Sequence, residues 1–155
     1  MAKNLYLAIG LPGSGKSTYI KEHFSDSFII SRDDIRFEMM GESSKYFEKE
    51  KEVFNEFVYR IQTALDKDSK NVIADATHIN QKSRNKLLNK LKLKGVKIHI
   101  LFINTPVEKC LERNHARDES ERLPDKVITD FYQRLELPSH SEKYKYISII
   151  EVKNS

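Results

Sequence analysis

The stretch that decides the fold is Gly10-Leu-Pro-Gly-Ser-Gly-Lys-Ser17, close to the start of a chain of 155 residues. It satisfies the pattern G-x-x-x-x-G-K-[ST] of a phosphate-binding P-loop at every position. The apolar run Leu5–Ile9 before it predicts a strand, and the residues from Ser17 to Phe24 predict a helix. Glycines let backbone N–H groups turn toward a phosphate, and the helix N-terminus adds the positive end of its dipole. The protein is therefore expected to bind a nucleoside triphosphate.

A second phosphate-site signal lies at the end of the apolar run Val72–Asp75. An apolar strand that ends in aspartate beside a P-loop strand is the Walker B pattern, in which the carboxylate orients Mg²⁺ or its waters. We expect Lys16 to reach the β- and γ-phosphates, and Ser17 and Asp75 to hold Mg²⁺. The residues predicted to surround the nucleotide are Gly10, Pro12, Gly13, Ser14, Gly15, Lys16, Ser17 and Thr18, with Arg113 and Arg117 from farther along the chain.

Apolar runs that predict strands alternate with patterns that predict helices. The expected strands are Leu5–Ile9, Phe28–Ser31, Val72–Asp75, Val96–Ile103 and Tyr146–Val152. Apolar residues from Phe47 to Leu65 follow the i, i+3, i+4, i+7 spacing of a long helix. Further helices are expected from a capping box at Thr105–Glu108, with proline at the first helical position, and from Pro124. This alternation predicts an α/β fold of three layers, in which helices cover both faces of a parallel sheet of about five strands.

Composition and charge narrow the class of protein. No run approaches the roughly 20 apolar residues of a membrane span, so no membrane partner is expected. The N-terminal Met-Ala-Lys-Asn leads directly into the first strand and leaves no room for a signal peptide. The single cysteine, Cys110, fits a reducing compartment, so we expect a cytoplasmic protein. A length of 155 residues predicts one domain, residues 1–155. A net charge of +4 suits polyanionic substrates without demonstrating a nucleic-acid partner. The sequence is compatible with a homo-oligomer.

The second strand leads into Ser31-Arg32-Asp33-Asp34-Ile35-Arg36, a candidate site for a phosphoryl acceptor. A carboxylate at a strand end can take the proton of an attacking hydroxyl, and an arginine can hold an anionic group of the acceptor. The alternative is that one carboxylate caps the next helix, and we expect Asp34 to do so.

Polar residues after the third strand could complete the acceptor site. Thr77, His78 and Asn80 either contact the acceptor or cap the helix that begins at Gln81. For His78 we favour a surface or capping role. A zinc site is not expected, since no second histidine or cysteine lies at ligand spacing.

Arginines in the second half of the chain predict a lid. Arg113 and Arg117 would project from one helix face, and Arg122 lies in a segment with no apolar residue between Arg117 and Leu123. Such a segment could bring an arginine onto the transferring phosphate. The alternative is surface salt bridging to Glu112, Glu119 and Glu121.

A basic stretch separates the third and fourth strands. Between Gln81 and Ile103 the chain has seven basic residues and no acidic residue. A solvated helix face explains most of this pattern, and a track for a nucleic-acid backbone is the more specific reading.

Together, four segments of the chain resemble the kinase domain of bacteriophage-type polynucleotide 5′-hydroxyl kinases, from residue 4 to about residue 138. They are the P-loop with Thr18, Ser-Arg-Asp-Asp-Ile-Arg, Asp-Ala-Thr-His-Ile-Asn with Arg84, and Arg-Asn-His-Ala-Arg. The resemblance implies that Asp33 is the general base, that Arg36 holds a phosphate of the acceptor, and that Arg117 is the lid arginine. It also places Asp34, Thr77, His78 and Arg84 on the substrate side, although relatives often carry asparagine where this chain has His78.

The resulting hypothesis is an ATP- and Mg²⁺-dependent kinase that phosphorylates the 5′-hydroxyl end of RNA or DNA. Lys16, Asp33 and Arg117 are its expected catalytic residues. One alternative is a P-loop kinase of a small hydroxyl compound, such as a nucleoside or a sugar. Another is an ATP-binding module that regulates a partner, which Asp33 and Arg36 argue against because such a module needs neither.

Overall fold

The computed structural model describes residues 3–41, 48–67, 71–78, 80–140 and 147–153. Within them the strands are β1 (Lys3–Ile9), β2 (Phe28–Ser31), β3 (Asn71–Asp75), β4 (Val96–Asn104) and β5 (Ile147–Lys153). The α-helices are α1 (Lys16–His23), α2 (Arg32–Met40), α3 (Glu50–Asp66), α4 (Gln81–Asn89), α5 (Val107–His115) and α6 (Asp125–Arg134). A 3₁₀ turn, Glu119–Glu121, lies between α5 and α6.

The strands form one parallel sheet in the order β2-β3-β1-β4-β5. This confirms the predicted α/β class and the adjacency of the strands that lead to Lys16 and Asp75. In the register of β1 against β3, Ala8 is opposite Asp75. The P-loop and the end of β3 therefore lie side by side at the carboxyl edge of the sheet, where ligands bind in such folds.

Side chains alternate along β1 between the two faces of the sheet. Leu5 and Leu7 are buried in a cluster with α3 and α4, whereas Ala8 packs in a separate cluster with Ile20 of α1. Since successive side chains of a strand point to opposite faces, helices cover the sheet on both sides, as predicted. Helix α3 packs on the sheet through its buried apolar stripe. Each fully buried valine, leucine, isoleucine or phenylalanine side chain contributes about 1.5–3 kcal/mol to the free energy of folding. That stripe consists of Val53, Phe54, Phe57, Ile61, Ala64 and Leu65.

Two predicted helix starts are wrong. The side chain of Ser31, not Asp34, caps α2, because the Ser31 hydroxyl accepts a hydrogen bond from the Asp34 amide at 3.2 Å. The expected capping box at Thr105 is absent: α5 begins at Val107 without a side-chain cap. The Thr105 hydroxyl instead donates to the carbonyl of Ser14 at 2.7 Å, so it joins this turn to the P-loop.

Two expected positions, Phe47 of the long helix and Tyr146 of the fifth strand, lie outside the described residues. No helix in the described part of the chain is both long and apolar enough to cross a membrane.

Candidate nucleotide and acceptor site

The P-loop connects β1 to α1 and depends on glycine at two positions. Gly13 and Gly15 have φ values of 81° and 87°, a region that glycine adopts without steric cost. A Cβ at Gly13 would lie 2.8 Å from the carbonyl oxygen of Cys110, so α5 packs directly against the loop. The Ser14 amide donates to the Leu11 carbonyl at 3.0 Å and closes the turn. The backbone shape that a phosphate cradle requires is therefore set by the loop itself and by α5.

Lys16, Ser17 and Asp75 meet at the carboxyl edge of the sheet. Lys16 Nζ lies 2.7 Å from Asp75 Oδ1 and donates to the Ala76 carbonyl at 2.8 Å. The Ser17 hydroxyl donates to Asp75 Oδ2 at 3.3 Å. The side chains of Lys16 and Asp75 are only 12% and 8% exposed. A hydroxyl and a carboxylate in this arrangement are hard oxygen ligands of the kind that Mg²⁺ binds together with phosphates and waters. The pair therefore fits the predicted metal.

A cleft of about 1000 Å³ opens over the P-loop. The loop, Lys16, Ser17 and Thr18 line one part of it, and Arg32, Asp33, Arg36, Glu50 and Thr77 line another. Arg113, Arg117 and apolar side chains of Leu123, Val127 and Phe131 complete the wall. The structure thus brings the predicted nucleotide residues into one cavity with three of the six predicted acceptor residues, Asp33, Arg36 and Thr77. Asp34, His78 and Arg84 do not line it.

On the acceptor side, Arg36 is held by two carboxylates. It is 8% exposed. Its Nε and Nη2 donate to the two carboxylate oxygens of Glu50 at 2.8 and 3.1 Å. Its Nη1 forms an ion pair with Asp33, whose side chain is 79% exposed. Bidentate pairing of this type fixes a guanidinium in both position and plane. Sequence reasoning missed Glu50, because an acid in the first turn of a helix is also what the helix dipole favours.

Arg32 is a second cation of this part of the cleft that was not among the predicted site residues. Its Nη2 lies 3.7 Å from Glu50 Oε2, and its guanidinium carbon lies 5.5 Å from the centre of the Phe54 ring. Burial lowers the pKa of Arg32 from its usual value, and the charge of Glu50 acts in the opposite direction. In the sequence Arg32 lies between Ser31 and Asp33, and Glu50 is distant, so no local pattern indicated this contact.

His78 is buried, so the expected surface or capping role is wrong. Its φ is 45°, and its Nε2 donates to the Ala74 carbonyl at 3.2 Å. Burial, followed by the charge of Lys16, lowers the pKa of His78 to about 3, so the ring is neutral at ordinary pH. The cap of α4 is Asn80, whose Oδ1 accepts from the Ser83 amide at 2.8 Å.

Arg84 lies beneath the loop that follows β3 and is 1% exposed. It donates to the carbonyl of His78 at 2.8 Å and to the carbonyl of Glu136 at 3.2 Å. These contacts connect the β3–α4 loop, which carries Thr77, to the segment after α6. Arg84 is thus placed to support the acceptor wall from behind, rather than to line the cleft as predicted.

The predicted lid, residues 117–122, is anchored at both ends. The buried side chain of Asn114 accepts from the Leu123 amide at 3.0 Å and donates to the Leu123 carbonyl at 2.7 Å. Arg113 donates to the P-loop carbonyl of Gly13 at 3.2 Å. The exposed Arg117 lines the cleft, and Arg122 donates to its carbonyl at 2.9 Å. Arg113 and Arg117 therefore line the cleft beside the P-loop, whereas Arg122 does not line it.

The model of a family described as AAA domain matches residues 5–138. The chain belongs to this family. No curated protein sequence matches it. The fold of this AAA domain is that of P-loop kinases, in which the P-loop strand lies beside the strand that carries the acidic residue.

Solved structures show the same fold at low sequence identity. A chain of the Pnkp1/Rnl/Hen1 RNA repair complex is 23% identical with a TM-score of 0.74 over 86% of this AAA domain, which spans only 44% of that chain. A fungal RNA kinase is 18% identical with a TM-score of 0.69, covering 99% of this chain and 76% of its own. A sugar kinase from Janibacter sp. HTCC2649 is 16% identical with a TM-score of 0.67, covering 99% and 86%.

Proposed function

We propose that the protein is an ATP-dependent kinase that transfers the γ-phosphate to the 5′-hydroxyl end of RNA or DNA. The observation that carries the proposal is the Asp33–Arg36–Glu50 cluster, which lies in the same cleft as the P-loop. It pairs an exposed carboxylate with a fixed guanidinium. A hydroxyl acceptor that also carries a phosphate needs both groups. The similarity in fold to an RNA kinase and to a chain of an RNA repair complex supports this choice.

In the proposed reaction the P-loop amides and Lys16 hold the nucleotide phosphates. Ser17 and Asp75 would hold Mg²⁺, which when bound offsets negative charge on the phosphates. Lys16 would exchange its ion pair with Asp75 for the β- and γ-phosphates, leaving the carboxylate available to the metal.

Asp33 would accept the proton of the 5′-hydroxyl while the hydroxyl oxygen bonds to the γ-phosphorus and the bond to the ADP oxygen breaks. Its exposed carboxylate faces the cleft, and a general base contributes about 10²–10⁴ in rate. Arg36 would hold the phosphate next to the terminal nucleoside and so position the hydroxyl. Arg117, with Arg113 one turn earlier, would stabilise charge on the transferring group.

A kinase of a small hydroxyl compound is the second candidate, because the sugar kinase from Janibacter shares this fold over most of both chains. The two candidates differ in the acceptor phosphate, which a nucleic acid has and a sugar or nucleoside lacks. A regulatory ATP-binding module would not require the Asp33–Arg36 pair.

The test compares a nucleoside with its 3′-monophosphate as acceptor for radiolabelled ATP. The 3′-monophosphate should be the better acceptor by at least tenfold in kcat/KM, and Arg36→Ala should remove most of that advantage while ATP affinity is kept. Asp33→Asn should bind ATP normally and transfer phosphate at least a hundredfold more slowly. The matched control, Asp34→Asn, makes the same chemical change at the neighbouring exposed carboxylate. Equal use of both acceptors by the wild type would favour the small-molecule kinase.

The cellular setting is also a proposal. The thiol of Cys110 is buried, and burial raises its pKa, which suits a cysteine kept reduced in the cytoplasm. A homo-oligomer is compatible with exposed apolar side chains such as Tyr59 and Leu137. Sedimentation of the purified chain would decide between a monomer and an oligomer.

A further inference from the structure

A polar groove of about 610 Å³ runs along one side of α4, outside the cleft. We call it the α4 groove. Two lysines one helical turn apart, Lys82 and Lys86, lie on it among amide side chains. Its lining residues are Gln81, Lys82, Asn85, Lys86, Asn89 and Glu136. Ammonium and amide groups on one helix face match the phosphate and sugar oxygens of a nucleic-acid backbone.

One cation of the α4 groove and one cation of the catalytic cleft contact the same aromatic side chain. Phe54 of α3 has the Lys86 ammonium 4.7 Å from its ring centre and the Arg32 guanidinium carbon 5.5 Å from it. Lys86 lines the groove and Arg32 lines the cleft. Since both cations contact the same ring, they lie within about 10 Å of each other. A cation–π contact of this kind stabilises the position of the cation by about 0.5–1 kcal/mol or more.

The β3–α4 loop provides a second connection between the two cavities. Thr77 lines the cleft, and Gln81, four residues later, lines the groove. An acceptor whose 5′ end lies beside Asp33 could therefore leave the cleft past Arg32 and run along α4. Glu136 is the one acid of the groove lining, and Glu50, the acid beside Arg32 in the cleft, is paired with Arg36.

We propose that the α4 groove binds the single-stranded continuation of the acceptor, with Lys82 and Lys86 on backbone phosphates downstream of the terminal nucleotide. This inference rests on the proposed function, because it needs a polynucleotide acceptor. The path from Arg32 to Lys86 covers at most about 10 Å, and from Lys86 to Gln81 the helix extends about 7.5 Å more at 1.5 Å per residue. At about 3.4 Å per stacked nucleotide, the acceptor contacts would end after about five nucleotides.

The test measures binding and catalysis separately. Binding uses single-stranded oligonucleotides of two to twelve nucleotides with a 5′-hydroxyl and a 3′ fluorophore, followed by anisotropy without ATP. The variant is Lys82→Ala/Lys86→Ala, and the matched control is Lys92→Ala/Lys94→Ala, which removes two exposed lysines of the same basic stretch outside the groove.

For the wild type we expect affinity to rise with length up to about five nucleotides and then to level off. The groove variant should bind an eight-nucleotide strand about tenfold more weakly near 0.1 M salt. It should also reduce the slope of log K against log salt by about 1.4, because each single-strand phosphate contact contributes about 0.7. In catalysis, its ratio of kcat/KM on the eight-nucleotide strand to kcat/KM on a nucleoside 3′-monophosphate should fall by the same factor. Lys82→Arg/Lys86→Arg should restore binding.

Three results would contradict the proposal that the α4 groove binds the acceptor strand. They are unchanged binding in the groove variant, an equal loss in the control variant, and a preference for duplex over single strand. The failure of the proposed function looks different: strands would bind through the groove with the expected salt slope, yet no 5′-hydroxyl would be phosphorylated. Conversely, phosphorylation of a nucleoside 3′-monophosphate with no length dependence would keep the kinase and remove the groove.

Discussion

The ion pair of Lys16 and Asp75 allows a quantitative prediction for Asp75→Asn. The substitution keeps the shape of the side chain but removes its charge, leaving Lys16 buried with one fewer partner. Removing one member of a buried ion pair costs about 3–5 kcal/mol. Lys16 keeps its bond to the Ala76 carbonyl, so we expect the lower end, about 3 kcal/mol. For a chain of 155 residues this corresponds to a fall in Tm of roughly 6–12 °C.

The assay is urea unfolding of the nucleotide-free protein in a buffer with EDTA. Unfolding is monitored by far-UV circular dichroism, because the chain has no tryptophan whose fluorescence could report it. Asp34→Asn is the matched control and should change the free energy of unfolding by less than about 0.5 kcal/mol, as exposed substitutions usually do. If Asp75→Asn were as stable as this control, the ion pair would not support the nucleotide-free site, and the argument from its burial would be refuted. Asp75→Asn should also reduce the effect of Mg²⁺ on the affinity for an ATP analogue.

Three further predictions concern the loops around the cleft. The pKa of His78 is about 3 in the folded protein and near 6.5 in the unfolded chain, so the stability present above pH 6.5 is lost as the pH falls toward 3. At pH 5 the free energy of unfolding should be lower by about 2 kcal/mol. His78→Asn should abolish that loss in unfolding curves, since asparagine tolerates a positive φ. Gly13→Ala should lower the free energy of unfolding by about 1–3 kcal/mol and weaken nucleotide binding. The loss of stability should be larger than for Gly95→Ala, since Gly95 has a φ of 76° but a Cβ there would meet open space. Equal losses of stability would show that the contact between Gly13 and α5 is unimportant. Arg117→Ala should lower the rate of single-turnover phosphoryl transfer at saturating ATP by a factor of about 10³–10⁵, whereas Arg122→Ala should lower it less. A near-normal rate for Arg117→Ala would show that another arginine has the lid role.

The sequence was sufficient for the features that depend on local pattern. Strand β2 has the predicted bounds, Phe28–Ser31, and the P-loop lies between the strand and the helix that its neighbours indicated. The adjacency of β1 and β3 also followed, because two phosphate-site motifs at strand ends must meet at one edge of a parallel sheet. Alternation of side chains and the steric demands of glycine act within a few residues, so they can be recognised in the chain itself.

Only the tertiary structure decided how distant polar groups are paired. Glu50 holds Arg36 from 14 residues away, and Arg84 supports the carbonyls of His78 and Glu136 across 6 and 52 residues. Such pairs depend on which helix faces pack together, which no local pattern encodes. The cap expected at Thr105 failed for the same reason, because its hydroxyl donates to the carbonyl of Ser14, 91 residues away in the chain. The chemistry of the nucleotide end was thus determined by the sequence, whereas the pairing on the acceptor side was determined by the packing of α2, α3 and α4.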